Sequence, residues 1–148
     1  MNKLHQIIGF IIQLHGGKIF TKIRLVKLLY LLDREFFRKH GRTLTGITYK
    51  SYFYGPYSQE IDAALQDLKR MGYITLELKD NIFNGKSYFV LTQNAPVPLT
   101  LLSDEEKREI VEFLGHYIDK PLDDIIDEVY TSKEYLNTSF GEVIKFKS

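Results

Sequence analysis

Two glycines in the first third of the chain have the spacing of a phosphate-binding loop. Gly41 and Gly46 are separated by four residues, as in the motif that cradles nucleotide phosphates with backbone N–H groups. In that motif the second glycine is followed by a lysine and then a serine or threonine, whereas Ile47 and Thr48 follow it here. The glycine spacing therefore does not predict nucleotide binding.

Residues suited to metal or thiol chemistry are sparse. The sequence has no cysteine, which excludes thiol nucleophiles, thiolate metal sites and disulfide bonds. Its four histidines form no His-x-x-x-His pair, so a zinc site would need ligands from remote segments. No serine or tyrosine has an identifiable base beside it, a pattern that leaves an enzyme undetected rather than excluded. We predict no catalytic residue, no cofactor and no metal site.

Two charged residues interrupt the most apolar segment of the chain. Lys27 and Asp33 lie six residues apart among side chains that are nearly all apolar. A buried charge must be paired or must reach water, and a spacing of six does not place both residues on one helix face. We expect each to find a partner from another element or to reach the surface, rather than to act in catalysis.

Aromatic residues are concentrated after this segment. Five of them fall within nine residues, namely Tyr49, Tyr52, Phe53, Tyr54 and Tyr57. Strand alternation would place Phe53 on the same side as Tyr49, towards the core, and Tyr54 on the opposite side. Tyrosines on the second side are suited to binding, since tyrosine is enriched at interaction hot spots. Packing of both sets in the core remains an equal alternative.

Charge is divided between two parts of the chain. Residues 1–57 hold ten lysines and arginines against two acids, a net charge of +8, while residues 58–148 hold ten against seventeen acids, a net charge of −7. Either the parts fold against one another or solvate opposite faces, or one of them meets an oppositely charged partner. Four of the acids form the cluster Asp123, Asp124, Asp127 and Glu128, which predicts either a solvated face or a dock for the basic half or a basic partner.

Helical periodicity indicates which segments carry these residues. A first amphipathic helix is predicted from about Lys3 to His15. A second, of about 18 residues, is predicted between a capping Thr21 and a left-handed Gly41. Because this second helix is apolar on nearly every side, it should be buried at the centre of the protein.

The remaining segments predict a mainly α fold with one β-hairpin, in the α+β class. The first is an extended segment over 48–54 with a turn at Gly55-Pro56, followed by a helix capped by Ser58. Strands over 73–78 and 87–92 are joined by a loop with Asn84-Gly85, a strong hairpin signal. Then come a helix that opens at a capping box of Ser103 and Glu106 and runs to about Asp119, a helix opening at Pro121 and a short capped turn at Thr131. About five helices around the central one, in a winged-helix-like order, form a single domain over 1–148. The longest apolar run has five residues, far below the roughly 20 of a membrane span, so we expect no membrane-spanning helix. The absence of cysteine fits a reducing compartment, and we expect a cytoplasmic protein.

The winged-helix order raises the alternative of a DNA-binding transcriptional regulator. In that case the helix after Pro56 would enter the groove, yet its first turn carries Glu60 and Asp62, which would repel phosphate. A separate phosphate-attracting surface could still form from the basic residues Lys18, Lys22, Arg24, Arg34, Arg38, Lys39 and Arg42.

Three blocks of sequence carry a family resemblance. They are Lys27-Leu28-Leu29-Tyr30-Leu31-Leu32-Asp33-Arg34-Glu35, then Gly41-x-x-Leu44-Thr45-Gly46-x-x-Tyr49, then Tyr52-x-Tyr54-Gly55-Pro56. In order and spacing they resemble the SocA-like antitoxin family, also called the Panacea domain. The resemblance is clearest over residues 20–75 and weaker through the hairpin and the acidic helical part at 101–148. Tyr52 and Tyr57 stand where that family usually has tryptophan and valine.

The resemblance implies a small cytoplasmic protein, often associated with a prophage, that neutralises a toxin by binding it and has no catalysis of its own. We predict that the partner-binding residues are Tyr52, Tyr54 and Tyr57, with Lys50 and Arg42 at the rim. The motif positions expected to be structural are Lys27, Tyr30, Asp33, Gly46, Gly55 and Pro56. Salt dependence separates the two functions, because binding to nucleic acid weakens steeply as salt rises.

Overall fold

A computed structural model describes residues 1–147 as six helices and five strands. In chain order they are α1 (Lys3–Leu14), β1 (Lys18–Phe20), α2 (Lys22–His40), β2 (Lys50–Tyr52), β3 (Gly55–Tyr57), α3 (Gln59–Arg70), β4 (Ile74–Asp80), β5 (Ser87–Gln93), α4 (Asp104–Gly115), α5 (Leu122–Tyr130) and α6 (Lys133–Leu136). The predicted α+β class, mainly helical with a hairpin near its middle, is confirmed. No helix of residues 1–147 is long and apolar enough to cross a membrane.

Helix α2 is the centre of the core, as its sequence predicted. The side chains of Leu25, Leu28, Leu29 and Leu31 are fully buried. The helix ends at Gly41, whose φ of 73° is the left-handed conformation expected there. Thr21 occupies the N-cap position, but its hydroxyl makes no capping bond, so that part of the prediction was wrong.

The long hairpin belongs to a three-stranded antiparallel sheet in the order β1-β5-β4. The sequence predicted only the two longer strands, because β1 has three residues and buries Ile19 alone. Ile19 lies opposite Leu91 of β5, and the pair places this edge strand against the core. A helix, a strand, a helix, a short hairpin, a helix and the long hairpin follow one another, which is close to the winged-helix-like order that the sequence predicted.

A second, short hairpin follows α2 in place of the single extended segment that was predicted. Strands β2 and β3 pair antiparallel, with Tyr52 opposite Gly55, so that Phe53 and Tyr54 form the turn. Residues in a turn leave the alternation of a strand, which is why Phe53 is exposed instead of lying on the side of Tyr49. The turn therefore precedes the Gly55-Pro56 pair that was expected to form it.

The C-terminal segment pairs with β2. The N–H of Ile144 donates to the Tyr49 carbonyl at 2.8 Å, and the N–H of Ser51 donates to the Glu142 carbonyl at 3.0 Å. Phe146 packs its ring 5.5 Å from that of Tyr30. These contacts cover one edge of the short hairpin and fix it to the core.

The basic and acidic parts of the chain fold against one another. Six contacts between a basic and an acidic side chain join residues 1–57 to the remainder: Lys3–Glu106, His5–Asp67, Lys22–Asp62, Arg34–Glu128, Arg38–Glu134 and His40–Glu109. Arg24 donates instead to the carbonyl oxygens of Tyr117, Ile118 and Lys120. Intramolecular contacts therefore account for part of the uneven charge distribution, since Lys3, Lys22, Arg34 and Arg38 pair with acids of residues 58–148.

The later helices begin and end close to their predicted bounds. Ser103 and Glu106 form the predicted capping box of α4, which ends at Gly115 rather than near Asp119. Pro121 is the N-cap residue of α5 instead of its first helical residue. The short final helix α6 has Ser132 at its N-cap, one residue after Thr131.

Candidate functional site

A pocket of about 240 Å³ lies between the start of α2 and the short β2–β3 hairpin. Its lining comes from Lys22, Ile23, Val26 and Lys27 of α2 and from Tyr52 and residues 54–57 of the hairpin. We call it the Lys27 pocket. It brings together the three tyrosines that the sequence predicted as binding residues, together with Lys27, which was predicted as a structural motif position, and further side chains of α2.

The turn of the short hairpin presents aromatic rings at the mouth of this pocket. The side chains of Phe53 and Tyr54 are 84% and 81% exposed. The ring of Phe53 lies 4.7 Å from that of Phe140, centroid to centroid, and therefore rests on the C-terminal segment. Exposed rings on a fixed turn are available for contact with another molecule.

Tyr52 and Tyr57 are half-buried and shape the wall of the pocket. Their rings meet edge to face at 5.7 Å. The hydroxyl of Tyr57 donates to the carboxylate of Asp62 in α3, and this bond, together with burial, raises the pKa of Tyr57 to about 12. Asp62 also contacts Lys22. Tyr57 is thus held by the protein itself and contributes its ring face more than its hydroxyl.

Lys27 is the buried cation of the pocket. Its side chain is only 3% exposed, its ammonium donates to the Tyr54 carbonyl, and it lies 5.3 Å from the centre of the Tyr130 ring. No carboxylate of residues 1–147 lies within 4.0 Å of its Nζ. Burial lowers the pKa of Lys27 to about 8. The expected partner from another element is therefore a carbonyl group and a ring rather than an acid.

Gly55 is required by the packing around Lys27. Its φ is 96°, and a Cβ at this position would lie 2.6 Å from Lys27 Nζ and 2.8 Å from Tyr130 Cε1. A side chain would therefore clash with both groups in addition to straining the backbone. Gly46, by contrast, has a φ of 73° and nothing within 4 Å of its added Cβ, so it serves the turn alone.

Asp33 fastens the loop that leads from α2 to the hairpin. Its fully buried carboxylate accepts from the N–H groups of Leu44 and Thr45, both at 2.9 Å, from the Thr45 hydroxyl at 2.5 Å and from the Tyr49 hydroxyl at 2.8 Å. Burial raises the pKa of Asp33, against the opposing effect of these four hydrogen bonds. Every oxygen of this group is used inside the protein, which is the arrangement of a structural residue.

The other predicted residues lie at different distances from the pocket. Lys50 is exposed on β2, opposite Tyr57. Arg42 lies beyond the far end of α2, with its guanidinium 5.6 Å from the Phe36 ring, and it does not line the pocket. Tyr30 is buried, and its hydroxyl lies 2.7 Å from that of Ser132. Lys50 thus adjoins the tyrosines, and Arg42 does not.

Metal-binding groups do not converge among the described residues. Over 1–147, no cluster of three or more histidine and acidic side chains is arranged to hold a metal ion. In the acidic cluster of α5, Glu128 accepts from the Tyr117 hydroxyl and lies 4.0 Å from both Arg34 and Lys120. At least this member of the cluster serves as a dock for the basic half of the chain.

Comparison with known protein families identifies the family to which the chain belongs. A family model described as antitoxin SocA-like, Panacea domain matches residues 25–146. The match extends from α2 through both hairpins and the later helices to the C-terminal segment, well beyond residues 20–75, where the motif resemblance is clearest. Comparisons with curated proteins and with solved structures gave no significant match. Since the match covers nearly all of its 148 residues, the chain belongs to the SocA-like antitoxin family with a Panacea domain.

Proposed function

We propose that this protein is an antitoxin that neutralises a toxin protein by binding it directly, through a surface formed by the short hairpin and the Lys27 pocket. Membership in an antitoxin family supports the type of role. We choose this surface because the side chains of Phe53 and Tyr54 are 84% and 81% exposed beside the Lys27 pocket. Such rings are characteristic anchors of protein interfaces.

The hairpin is held in place before any partner arrives. The Lys27 ammonium donates a hydrogen bond to the Tyr54 carbonyl, and the C-terminal segment pairs with β2 along one edge of the hairpin. Aromatic side chains have few rotatable bonds, so rings on a fixed turn lose little conformational entropy when they bind. We expect the hairpin to act as a rigid anchor, with the exposed side chains of Ile23 and Phe140 extending the apolar contact area.

The charges of the described residues disfavour the alternative function, which is DNA binding in the manner of a winged helix. Helix α3 would enter the groove, but Glu60 is exposed in its first turn and Asp62 is occupied by Lys22 and Tyr57. The sequence grouped seven basic residues as a possible phosphate-attracting surface. Four of them contact acidic side chains or carbonyl groups in the structure, namely Lys22, Arg24, Arg34 and Arg38. These contacts leave fewer free cations for phosphate than the net charge of residues 1–57 indicates.

The proposal is tested with the partner from the native host. The tagged protein is used to capture interacting proteins after nuclease treatment, and each captured protein is then expressed alone and together with this chain. We expect one partner that arrests growth alone and is harmless in co-expression, with an affinity that changes little between 50 and 200 mM salt. Growth arrest that persists in co-expression, or retention that requires nucleic acid and falls steeply with salt, would contradict direct neutralisation.

A further inference from the structure

Lys27 has binding capacity that the protein does not use. A lysine ammonium carries three N–H donors, and the contacts of Lys27 are one carbonyl oxygen, that of Tyr54, and the ring of Tyr130. A buried charge is normally paired with an opposite charge, since burial removes its hydration. Among residues 1–147 no acid is close enough to supply that charge, although Lys27 lines an open pocket.

The surroundings of Lys27 set the size and chemistry of what fits there. A volume of about 240 Å³ lies below the roughly 300–1,000 Å³ of typical small-molecule pockets, which suits a single side chain rather than a folded element. The aliphatic groups of Ile23 and Val26 and the rings of Tyr52 and Tyr57 form walls suited to methylene groups. Of the two cations that line the pocket, Lys22 is paired with Asp62, and Lys27 has no acidic partner among residues 1–147.

We propose that the Lys27 pocket binds the carboxylate of a glutamate side chain from the toxin partner. This inference rests on the proposed function, and it names the chemistry that the binding surface selects. The methylene groups of the glutamate lie against the tyrosine and aliphatic walls, and the carboxylate pairs with Lys27. The exposed Phe53 and Tyr54 then contact the surface around that glutamate.

Two other anions fit these surroundings less well. A chain-terminal carboxylate is typically held by a row of backbone N–H groups, whereas the lining of this pocket is mainly apolar. A phosphate is typically held by several cations or by arginine forks, whereas Lys22, the second cation of the pocket, is already paired with Asp62. A glutamate side chain matches both the single free cation and the apolar walls.

Capped amino acids test the pocket without the partner. N-acetyl-glutamate N-methylamide and N-acetyl-glutamine N-methylamide differ only in the side-chain charge, and each is titrated into the ¹⁵N-labelled protein while backbone amide shifts are recorded. We expect shifts centred on residues 54–57, with binding of the glutamate probe at least tenfold tighter than that of the glutamine probe. Equal binding, or shifts elsewhere in the protein, would overturn the proposal.

Substitution of Lys27 identifies the group that is responsible. Lys27→Met removes the charge, and Lys27→Gln also keeps a donor for the Tyr54 carbonyl, so at least one variant should remain folded. Both should lose the preference for the glutamate probe, whereas Lys39→Met, which removes an exposed lysine from the far end of α2, should keep it. A preference that survives in a folded Lys27 variant would overturn the proposal.

Further probes separate this inference from its rivals and from the proposed function. Tighter binding of N-acetyl-glutamine with a free terminal carboxylate, or of inorganic phosphate, would overturn the choice of a side chain. With the toxin in hand, Lys27→Gln should weaken its binding at least tenfold. Unchanged affinity for Lys27→Gln combined with weaker binding by Tyr54→Ala would refute the role of Lys27 while leaving direct neutralisation intact.

Discussion

The burial of Lys27 makes a quantitative prediction about how stability depends on pH. The pKa of Lys27 is about 8 in the folded protein, against 10.5 when the side chain is exposed. Between these values the unfolded chain binds more protons than the folded one, so the free energy of unfolding rises with pH. The loss of stability caused by burying the charged amine is complete below pH 8. It disappears above pH 10.5, where the amine is neutral in both the folded and the unfolded state.

The magnitude follows from the same two values. A drop from 10.5 to about 8 corresponds to a penalty of about 3 kcal/mol when the amine is protonated in both states. Between pH 7 and pH 9.5, the titration of Lys27 should therefore raise the free energy of unfolding by about 2 kcal/mol. Lys27→Met has no group to titrate at this position and should lack that gain.

Urea unfolding of the protein and of Lys27→Met at several pH values between 7 and 9.5 measures this difference. The other titratable groups around the pocket, Lys22 and the nearby tyrosines, are common to both chains, so their effects should largely cancel. We expect the stability of Lys27→Met relative to the original chain to fall by about 2 kcal/mol across the range. Lys39→Met should show no trend. A flat difference for Lys27→Met would refute a desolvated Lys27.

Two further substitutions test the structural motif positions. Asp33→Ala leaves four hydrogen-bond donors without their acceptor. It should lower the free energy of unfolding by more than about 3 kcal/mol, measured by urea denaturation. A loss below about 1 kcal/mol would contradict the structural role of Asp33. Gly55→Ala combines a positive φ with a clash against Lys27, whereas Gly46→Ala has only the positive φ. Gly55→Ala should therefore cost more stability than Gly46→Ala, and equal costs would show that the pocket relaxes freely.

Local sequence patterns predicted the elements whose causes are local. The apolar residues of α2 indicated its burial, Gly41 indicated its end, and the Ser103 capping box indicated the start of α4. The Asn84-Gly85 pair correctly indicated a turn between β4 and β5. Each of these signals lies within a few residues of the structure that it determines.

Pairings between distant segments were not predictable in the same way. Strand β1 has only three residues and exists because β5, far along the chain, pairs with it. The exposure of Phe53 depends on where the hairpin turns, and that turn depends on pairing between β2 and β3. These elements form through partners that no short window of sequence contains.

The candidate site was predicted in part for the same reason. Tyr52, Tyr54 and Tyr57 were identified by their density in the sequence, and the structure brings them together. The cation behind them is Lys27, whose neighbours Tyr54 and Tyr130 are remote in sequence. The nearest sequence signal was the unexplained charge within an apolar helix.

The central claim is that the short hairpin binds a protein partner. Its most direct test is to measure the affinity of the captured toxin for three variants of this protein. Phe53→Ala and Tyr54→Ala remove rings at the hairpin turn, and Phe83→Ala removes a ring of similar exposure from the other hairpin. We predict that each of the first two weakens binding by more than about 1 kcal/mol, roughly fivefold, and that Phe83→Ala has no effect. Equal affinities for all three folded variants, or a loss confined to Phe83→Ala, would contradict the claim.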